Sequence, residues 1–418
     1  MSDSSTTYTT RLSFGRLGQI ETRLEPILAV IALAALVFVP TIGTLGALIF
    51  LAGGVVLCGL RPGEIFAQGL RHWPVLLLPI FCILSFVWSR EPLLSMRFGV
   101  QLLATVVVTI AICRHLSPRH FLLTLFACML VAMLASLIGG DVRGDTGARI
   151  GIYGSKNAFA GAASTFTVLA FGVALMRGAA RPLRVLGLLC FAIGTVLVIS
   201  AQSVSAILFL LPTLLALFAA MNVRRLGALP AWSILAFGGL GLILVGLMVQ
   251  ANWHFISAFV LDATGKDLTL TGRTELWASA LALIEQRPLL GVGYQAFWVE
   301  GHADAELLWY AFGIESRSGF NFHNMFLSNA VEIGLFGAVL QTGLLLITAF
   351  YTGLWAIRSG RSVGATLFAL CFVAVLGSVV EVPLFFQFSL RTVLVLAALI
   401  YARDAVHPRH ARTVWRGA

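Results

Sequence analysis

Long, unbroken apolar runs dominate the sequence and restrict the folds that are open to it. The chain of 418 residues is 59% hydrophobic and 11% charged, whereas soluble domains carry about 25% charged residues. A helix that crosses a bilayer needs about 20 consecutive apolar residues, while membrane β-barrels alternate apolar and polar residues. The continuous runs therefore predict an all-α, polytopic transmembrane helical bundle. They exclude a soluble enzyme and a disordered chain.

Charged and turn-forming residues divide the runs into about twelve predicted spans. Pro40 and Gly43 predict a tight turn between the first two. The one long hydrophilic stretch, at 250–332, is the expected functional loop, with short helices of its own. The predicted domains are 1–249 with spans 1–9, the periplasmic catalytic loop 250–332, and 333–418 with spans 10–12 and a basic cytoplasmic tail. The spans lie at 24–39, 41–60, 73–88, 98–113, 121–138, 157–176, 183–200, 204–221, 231–249, 333–356, 363–380 and 386–402.

The net charge of +10 follows this predicted topology. With the N-terminus in the cytoplasm, most of the 28 basic residues fall in inner segments, as is typical of cytoplasmic loops. The charge therefore indicates contact with anionic membrane lipids. Binding to nucleic acid would need a continuous basic face with interleaved aromatic residues; none is present, so we expect no nucleic-acid partner.

The long loop contains a predicted amphipathic helix that begins near Gly272 and ends before Pro288. We expect this helix to lie on the outer membrane surface. Its first turn offers free backbone N–H groups and the guanidinium of Arg273, which together can bind an anion. Alternatively, Arg273 pairs with Glu275 or reaches a lipid phosphate.

A second polar group stands just before the tenth predicted span, in the stretch FNFHNMFLSNAVEIGLFG. His323 can accept a proton near neutral pH, and a neighbouring amide or carboxylate can fix its tautomer; Asn324 follows it directly. His323 could instead only cap the helix. Glu332 either satisfies a buried polar partner or abstracts a proton, because carboxylates at membrane depth are functional or paired.

These stretches resemble the O-antigen ligase and polymerase superfamily. Its signature is similar to GRTELW…RPLLGVGYQAF followed by FHNMFL…EIGLFG, with weaker matches in WSREPLLSMRFG and GIYGSKNAFAGAAS. Members include Wzy-type polysaccharide polymerases, WaaL-type ligases and ExoQ-like exopolysaccharide proteins. Many members carry a basic residue in a Ser-rich turn that is similar to SAQSVSA, where this chain has Val204. Lys156, Arg149 or Arg391 is expected to supply the missing charge.

The resemblance implies a GT-C-like fold and glycosyl transfer on the periplasmic face of the bacterial inner membrane. The donor would be a glycan on undecaprenyl diphosphate, and an acceptor hydroxyl would attack the anomeric carbon. The departing diphosphate needs cations and N–H donors, which we assign to Arg273, Lys156, Arg149 and Arg391, with Asn157 and Asn324 as further substrate-binding residues. The acceptor needs a base, and the catalytic candidates are His323 and Glu332. One base without an enzyme nucleophile predicts inversion.

Two of these cations have a structural alternative. Arg391 lies about five residues into the last predicted span, where an unpaired arginine is costly. It therefore faces a cavity, an interface or a partner, and Glu381 is the expected ion-pair partner. Lys156 could be an interfacial anchor rather than a phosphate ligand.

Neither a metal nor a cofactor is expected. The stretch EGHADAE offers Glu300, His302, Asp304 and Glu306, which could ligate a divalent cation, but we interpret it as an acidic solvated loop. The six cysteines lie within apolar runs and are expected to pack as small hydrophobic residues. No nucleotide, zinc or serine-hydrolase motif occurs in the sequence.

The sequence thus predicts an inner-membrane polymerase of lipid-linked repeat units. The alternative is a ligase that transfers the glycan to lipid A–core or to protein. The alternative of another class is a polysaccharide or small-solute transporter, which would need a polar pathway through the bilayer. Besides the glycan donor, its acceptor and membrane lipids, a flippase and a chain-length regulator are the partners implied by the resemblance.

Overall fold

The structure, a computed structural model, describes residues 14–144, 146–223 and 272–407. Apolar helices account for most of this part of the chain, and one short antiparallel hairpin is made by β1 (Asp141–Val142) and β2 (Arg149–Gly151). The helices are α1 (Phe14–Ile42), α2 (Thr44–Leu60), α3 (Pro62–Arg71), α4 (Pro74–Leu84), α5 (Pro92–His115), α6 (Pro118–Ile138), α7 (Lys156–Ala174), α8 (Arg181–Ser200), α9 (Val204–Asn222), α10 (Arg273–Gln286), α11 (Ala303–Ala311), α12 (Met325–Ser359), α13 (Ser362–Ser378) and α14 (Leu390–Val406).

Seven of the helices in the described residues are long and apolar enough to cross a membrane: α1 from Leu24 onward, α5, α6, α7, α8, α9 and α12. The pair α2 and α3 passes the same test together but is bent by 101°, and α4 and α13 are shorter apolar helices. The chain is therefore an all-α membrane protein. Eleven of the predicted spans coincide with helices, the ninth, at 231–249, lies outside the described residues, and the number of crossings stays a prediction.

Local sequence explains where the helices begin. Proline occupies the first position of α3, α4, α5 and α6, where its missing N–H would have no helical partner in any case. The side chains of Ser117 and Ser155 cap α6 and α7 by accepting backbone N–H groups. Gly43, with φ of 54°, makes the turn between α1 and α2, which confirms the tight turn expected near Pro40, although α1 continues past that proline.

Several helix starts differ from the sequence prediction, and two of them bear on the site. α12 begins at Met325 instead of residue 333, because Asn324 caps it with hydrogen bonds from Phe326 and Leu327. α14 begins at Leu390 instead of residue 386. Arg391 therefore lies in the first turn of α14 rather than within a span, at the end of the bundle where polar groups gather.

α12 is broken at Gly334, which has φ of 66° and ψ of −176°. The segment 288–294 fills the break, because Leu335 donates its N–H to the carbonyl of Pro288 at 2.8 Å. A Cβ at Gly334 would overlap the backbone of Leu289. A glycine is thus required on two counts, a left-handed φ and a close approach of two backbones.

Glu332, just before the break, binds the same inserted segment through its carbonyl and its carboxylate. It is 8% exposed, its carbonyl accepts the N–H of Gly293 at 2.7 Å, and its Oε2 accepts the N–H of Gln295 at 2.9 Å. A Cβ at Gly291 would lie 2.5 Å from the Glu332 carbonyl oxygen. The two halves of the sequence signature, GVGYQ and EIG, therefore pack directly on each other.

Charged side chains also gather at the opposite end of the bundle. Arg61 binds Glu25 at 2.6 Å, and His115 lies 3.1 Å from the same carboxylate. Nearby, Arg71 binds Asp404 at 2.8 Å. Arg61, Arg71, His115 and Asp404 come from segments that the charge pattern assigns to the cytoplasm, and Glu25 lies at the start of the first predicted span.

We predict that Gly334→Ala lowers the free energy of unfolding by about 2 kcal/mol or more, because alanine disfavours the left-handed φ and its Cβ meets a backbone that cannot yield. The midpoint of thermal unfolding in detergent measures this. Gly343→Ala, at a helical glycine of α12 with open space around it, is the control and should leave the midpoint unchanged or slightly higher. Equal effects of the two substitutions would contradict this account of the break.

Candidate active site

Glu381, in the loop between α13 and α14, joins elements that are far apart in the chain. Its Oε1 accepts a hydrogen bond from Asn157 Nδ2 at 2.8 Å and another from Arg273 Nη2 at 3.2 Å. Its Oε2 lies 3.2 Å from Nδ1 of His323. The side chain is 24% exposed, so the first turns of α7 and α10 and the segment before α12 meet at one largely buried carboxylate.

The contact with Glu381 orients the imidazole of His323. A carboxylate can only accept, so Nδ1 carries the proton, and in the neutral form of the imidazole Nε2 presents its lone pair. The backbone of His323 has a φ of 48°, a conformation that a side chain disfavours, and its N–H donates to Oδ1 of Asn321 at 2.7 Å. This local hydrogen bond holds the turn that points the ring toward Glu381.

The charges around Glu381 keep its carboxyl ionised. Burial raises the pKa of Glu381, but the hydrogen bond from His323 and the charges of His323, Arg273 and Arg391 together outweigh burial and hold the pKa below its ordinary value. The carboxylate therefore stays negative at neutral pH and compensates the cations beside it.

Arg273 lies where the sequence predicts it, in the first turn of α10 after Gly272, whose φ is 85°. Its guanidinium donates to the carbonyl of Val380 at 2.9 Å as well as to Glu381. Glu275, the partner that one alternative gave to Arg273, is therefore not its main contact. On the same helix, Trp277 Nε1 donates to the carbonyl of Phe322 at 2.8 Å, so α10 also fixes the residue that precedes His323.

A small separate core supports this arrangement. It packs α10, α11 and the start of α12 together through side chains that are almost fully buried: Leu276, Ala280, Val292, Phe297, Ala305, Leu308, Trp309, Phe322 and Val331. The ring of Phe320 meets the His323 ring edge-on, with centroids 6.1 Å apart. His323 is therefore supported by these packed side chains, which we call the His323 platform, rather than carried on a loop without contacts.

A cavity of about 740 Å³ lies next to this cluster. One part of its wall is apolar and comes from α1 and α6, with Leu36, Val37, Val39 and Met129. The other part is polar: Arg143, Ser155, Lys156, Asn157, Asn321, His323, Glu381, Ser389 and Arg391. A chamber with one apolar wall and one cationic wall suits an amphiphile with an anionic headgroup.

Two helix N-termini face the same cavity. Its lining includes Ser155 and Lys156 at the start of α7, and Ser389, Leu390 and Arg391 at the start of α14. The first N–H groups of a helix have no helical acceptor and favour negative charge. The N–H groups and the two cations therefore make the polar wall an anion-binding surface.

Arg391 makes no direct ion pair with a carboxylate among the described residues, so the Glu381–Arg391 pair expected from sequence is wrong. Glu381 pairs with Arg273 and His323 instead and acts on Arg391 only through its charge. Arg391 also lines a smaller cavity of about 70 Å³, together with Ser203 and Ser205 of the Ser-rich turn. The guanidinium thus lies beside the turn in which this chain has Val204.

Besides Arg273, which is bound to Glu381 and Val380, three candidate residues line neither of these two cavities. Glu332 is buried at the break of α12, and Asn324 caps that helix. Arg149 donates to the carbonyl of Ser136 at 3.1 Å. The geometry gives each of the three a structural partner, while their proposed roles in catalysis or substrate binding stay predictions.

The acidic stretch forms the start of α11. His302 caps this helix and contacts Arg90, and Glu306 pairs with Arg317 at 3.1 Å. Burial, followed by the charge of Arg90, lowers the pKa of His302. Within the described residues, no group of three or more His, Cys, Asp or Glu side chains is arranged to hold a metal ion.

Sequence reasoning missed several polar residues of the cavity, among them Arg143 and Asn321, and misjudged Glu381. Arg143 and Asn321 line the cavity but have no distinctive sequence context. The sequence points to Glu381 only as an ion-pair partner for Arg391. A polar residue between two apolar spans, at the end where the other candidates gather, is the signal that could have found it.

Comparison with known proteins agrees with this geometry. A family model described as O-antigen ligase matches residues 188–342, which include Arg273, His323 and the break in α12. The exopolysaccharide production protein ExoQ of Rhizobium meliloti (strain 1021) is 34% identical over 323 residues, which cover 71% of this chain and 70% of that protein. The chain belongs to the O-antigen ligase and polymerase superfamily. The residues that carry the superfamily signature thus include the break of α12, the segment 288–294 that fills it, and the residues that support His323.

We predict that Glu381→Gln lowers the free energy of unfolding by about 1–3 kcal/mol at neutral pH, because Arg273 loses its charged partner and His323 loses the carboxylate that binds its Nδ1. Thermal midpoints in detergent measure this. Glu306→Gln, which breaks a more exposed pair with Arg317, should cost less than about 1 kcal/mol.

The deficit of Glu381→Gln should depend on pH. The folded pKa of Glu381 lies below its ordinary value of 4.5, so its charge contributes fully above that pH, and the contribution is lost as the pH falls through the folded pKa. The midpoints of wild type and variant should converge in acid. A constant difference would show that the charge of Glu381 is not what stabilises the cluster.

Proposed function

We propose that this chain is a glycosyltransferase that polymerises lipid-linked oligosaccharide repeat units into a surface polysaccharide. The observation that carries the proposal is the juxtaposition of a carboxylate-bound imidazole and a cationic wall around one cavity that also has an apolar wall. Membership of the superfamily and the likeness to an exopolysaccharide production protein support the same class of reaction.

The donor in this proposal is a glycan on undecaprenyl diphosphate. The diphosphate binds at Arg391, Lys156 and the N-termini of α7 and α14, where negative charge on the leaving group is stabilised as the glycosyl bond breaks. The prenyl chain lies along the apolar wall of α1 and α6. Arg273 holds Glu381, which lines the same cavity.

The acceptor hydroxyl is deprotonated by Nε2 of His323 as its oxygen attacks the anomeric carbon. Glu381 stabilises the imidazolium that forms, since it holds the Nδ1 proton. A single displacement of this kind inverts the anomeric centre. Every charge that the step requires comes from side chains and helix termini of this chain, and we expect activity to survive EDTA.

We assign the site to the periplasmic face of the bacterial inner membrane, with twelve spans and both termini in the cytoplasm. The charge pattern of the loops supports this orientation. The gathering of the Glu25 and Asp404 networks at the end opposite the site supports it as well. In this topology the segment 250–332 is the catalytic loop, and a flippase that delivers the donor and a chain-length regulator are the expected partners.

A ligase is the second candidate, because the matching family model is described as O-antigen ligase. A ligase would use the same donor and the same groups of the chain, and only the acceptor would differ. Reconstitution of the purified protein in liposomes with lipid-linked repeat units separates the possibilities. A ladder of products supports the polymerase, transfer to added lipid A–core supports the ligase, and movement of the donor across the bilayer without a product would overturn both in favour of transport.

We predict that His323→Ala lowers the rate of glycan elongation at least about 1,000-fold, through loss of the base and of its coupling to Glu381. Product formation in the liposome assay measures this. His302→Ala, on the same outer segment but engaged in capping α11, should retain near-normal activity. Normal chain length in the His323 variant would exclude it as the base.

We also predict that Arg273→Lys impairs the enzyme about tenfold or more, because one ammonium cannot reproduce the planar fork that reaches both Val380 and Glu381. Initial rates at saturating and limiting donor measure the effect. Arg287→Lys, at an exposed arginine just after α10, is the matched control. If the two lysine variants were equally active, the fork would have no part in the reaction.

A further inference from the structure

Gly161 lies on the face of α7 that borders the smaller cavity, one helical turn after Asn157. The guanidinium of Arg391 occupies the space that a side chain at this position would need. A Cβ on Gly161 would overlap Nη2 of Arg391 and would lie 2.8 Å from its Cζ. The arginine therefore reaches its place only because residue 161 has no side chain.

The nature of this contact separates Gly161 from other tightly packed glycines of the bundle. A Cβ at Gly54 would overlap Val108, and one at Gly172 would overlap Thr366; both neighbours are short, β-branched side chains that cannot turn aside. At Gly161 the obstacle is the tip of a long, flexible side chain. Alanine there would move the guanidinium, whereas the helices could stay where they are.

The position of that guanidinium is specific. Arg391 borders both cavities, lies within reach of the Glu381 charge, and has no hydrogen bond or ion pair with a described side chain to occupy it. The N–H donors of its guanidinium are thus not taken up by the described side chains and can serve a ligand at the larger cavity. A planar guanidinium binds a phosphate through two parallel hydrogen bonds only when its plane and distance are correct.

We propose that Gly161 is a positioning residue, which seats the Arg391 guanidinium as the deepest ligand of the donor diphosphate. This inference rests on the proposed function, in which Arg391 binds that diphosphate. It adds a residue of α7 that determines how the diphosphate is bound. The same helix then supplies Lys156 from its first turn and, at Gly161 in its second turn, the space that the Arg391 guanidinium occupies.

The test is Gly161→Ala, assayed in liposomes with the lipid-linked donor. We expect the KM for the donor to rise about tenfold or more, which corresponds to a lost charge-assisted contact, and kcat to fall as well, because the displaced guanidinium stabilises the leaving group less. The midpoint of thermal unfolding should stay the same or rise, because alanine favours the helix. Gly343→Ala, with open space at its Cβ, is the control and should change neither KM nor kcat.

A double-mutant cycle shows whether the effect passes through Arg391. In an Arg391→Ala background the guanidinium is absent, so Gly161→Ala should raise the KM by less than about twofold. An equal rise in both backgrounds, or no rise in the wild-type background, would overturn the role of Gly161. A fall in the thermal midpoint would assign the glycine to helix packing instead.

The Arg391→Ala variant alone separates this inference from the function on which it rests. If that variant binds and uses the donor as the wild type does, the assignment of Arg391 to the diphosphate is wrong, and the proposed role of Gly161 is wrong with it. If Arg391→Ala raises the KM but Gly161→Ala does not, the diphosphate assignment stands and only the role of Gly161 is lost.

Discussion

The ionised carboxylate of Glu381 is the interaction on which the rest of the site depends. It accepts hydrogen bonds from Asn157 and Arg273 on one oxygen and contacts His323 on the other. A largely buried charge is tolerated only when it is paired and hydrogen-bonded, and these three partners come from three separate elements. The same contacts therefore hold this end of the bundle together, fix the tautomer of the imidazole and compensate the cations next to the cavity.

Glycines set the geometry around this carboxylate. At Gly334 the break of α12 admits the backbone of 288–294, so the two halves of the superfamily signature pack on each other and support the platform of His323. At Gly161 a missing side chain admits the tip of Arg391. In the first case two backbones meet, and a substitution disturbs the fold; in the second a flexible side chain is placed, and a substitution disturbs binding. The signature glycines are thus explained by close approach rather than by flexibility.

The sequence predicted the helices well because a run of apolar residues has few alternatives in a membrane, and prolines and capping serines mark several starts. It also predicted that Arg273 and His323 lie at one site, by resemblance to a family. The sequence did not predict the partners of Glu381, because Asn157, Arg273 and His323 are distant in the chain. It suggested Arg391 instead, which is close to Glu381 in the sequence but makes no direct ion pair with it. Asn324 and Arg149 belong to a helix cap and a loop contact, which a residue type alone does not reveal.

The most direct test of the account is a structure of the protein with its lipid-linked donor bound. We predict that the diphosphate lies within hydrogen-bonding distance of Arg391 and Lys156, and that the prenyl chain follows the wall formed by Leu36, Val37 and Met129. Nε2 of His323 should face the anomeric carbon, while Nδ1 stays hydrogen-bonded to Glu381. A donor bound elsewhere, or a diphosphate placed with the imidazole turned away from the sugar, would contradict it.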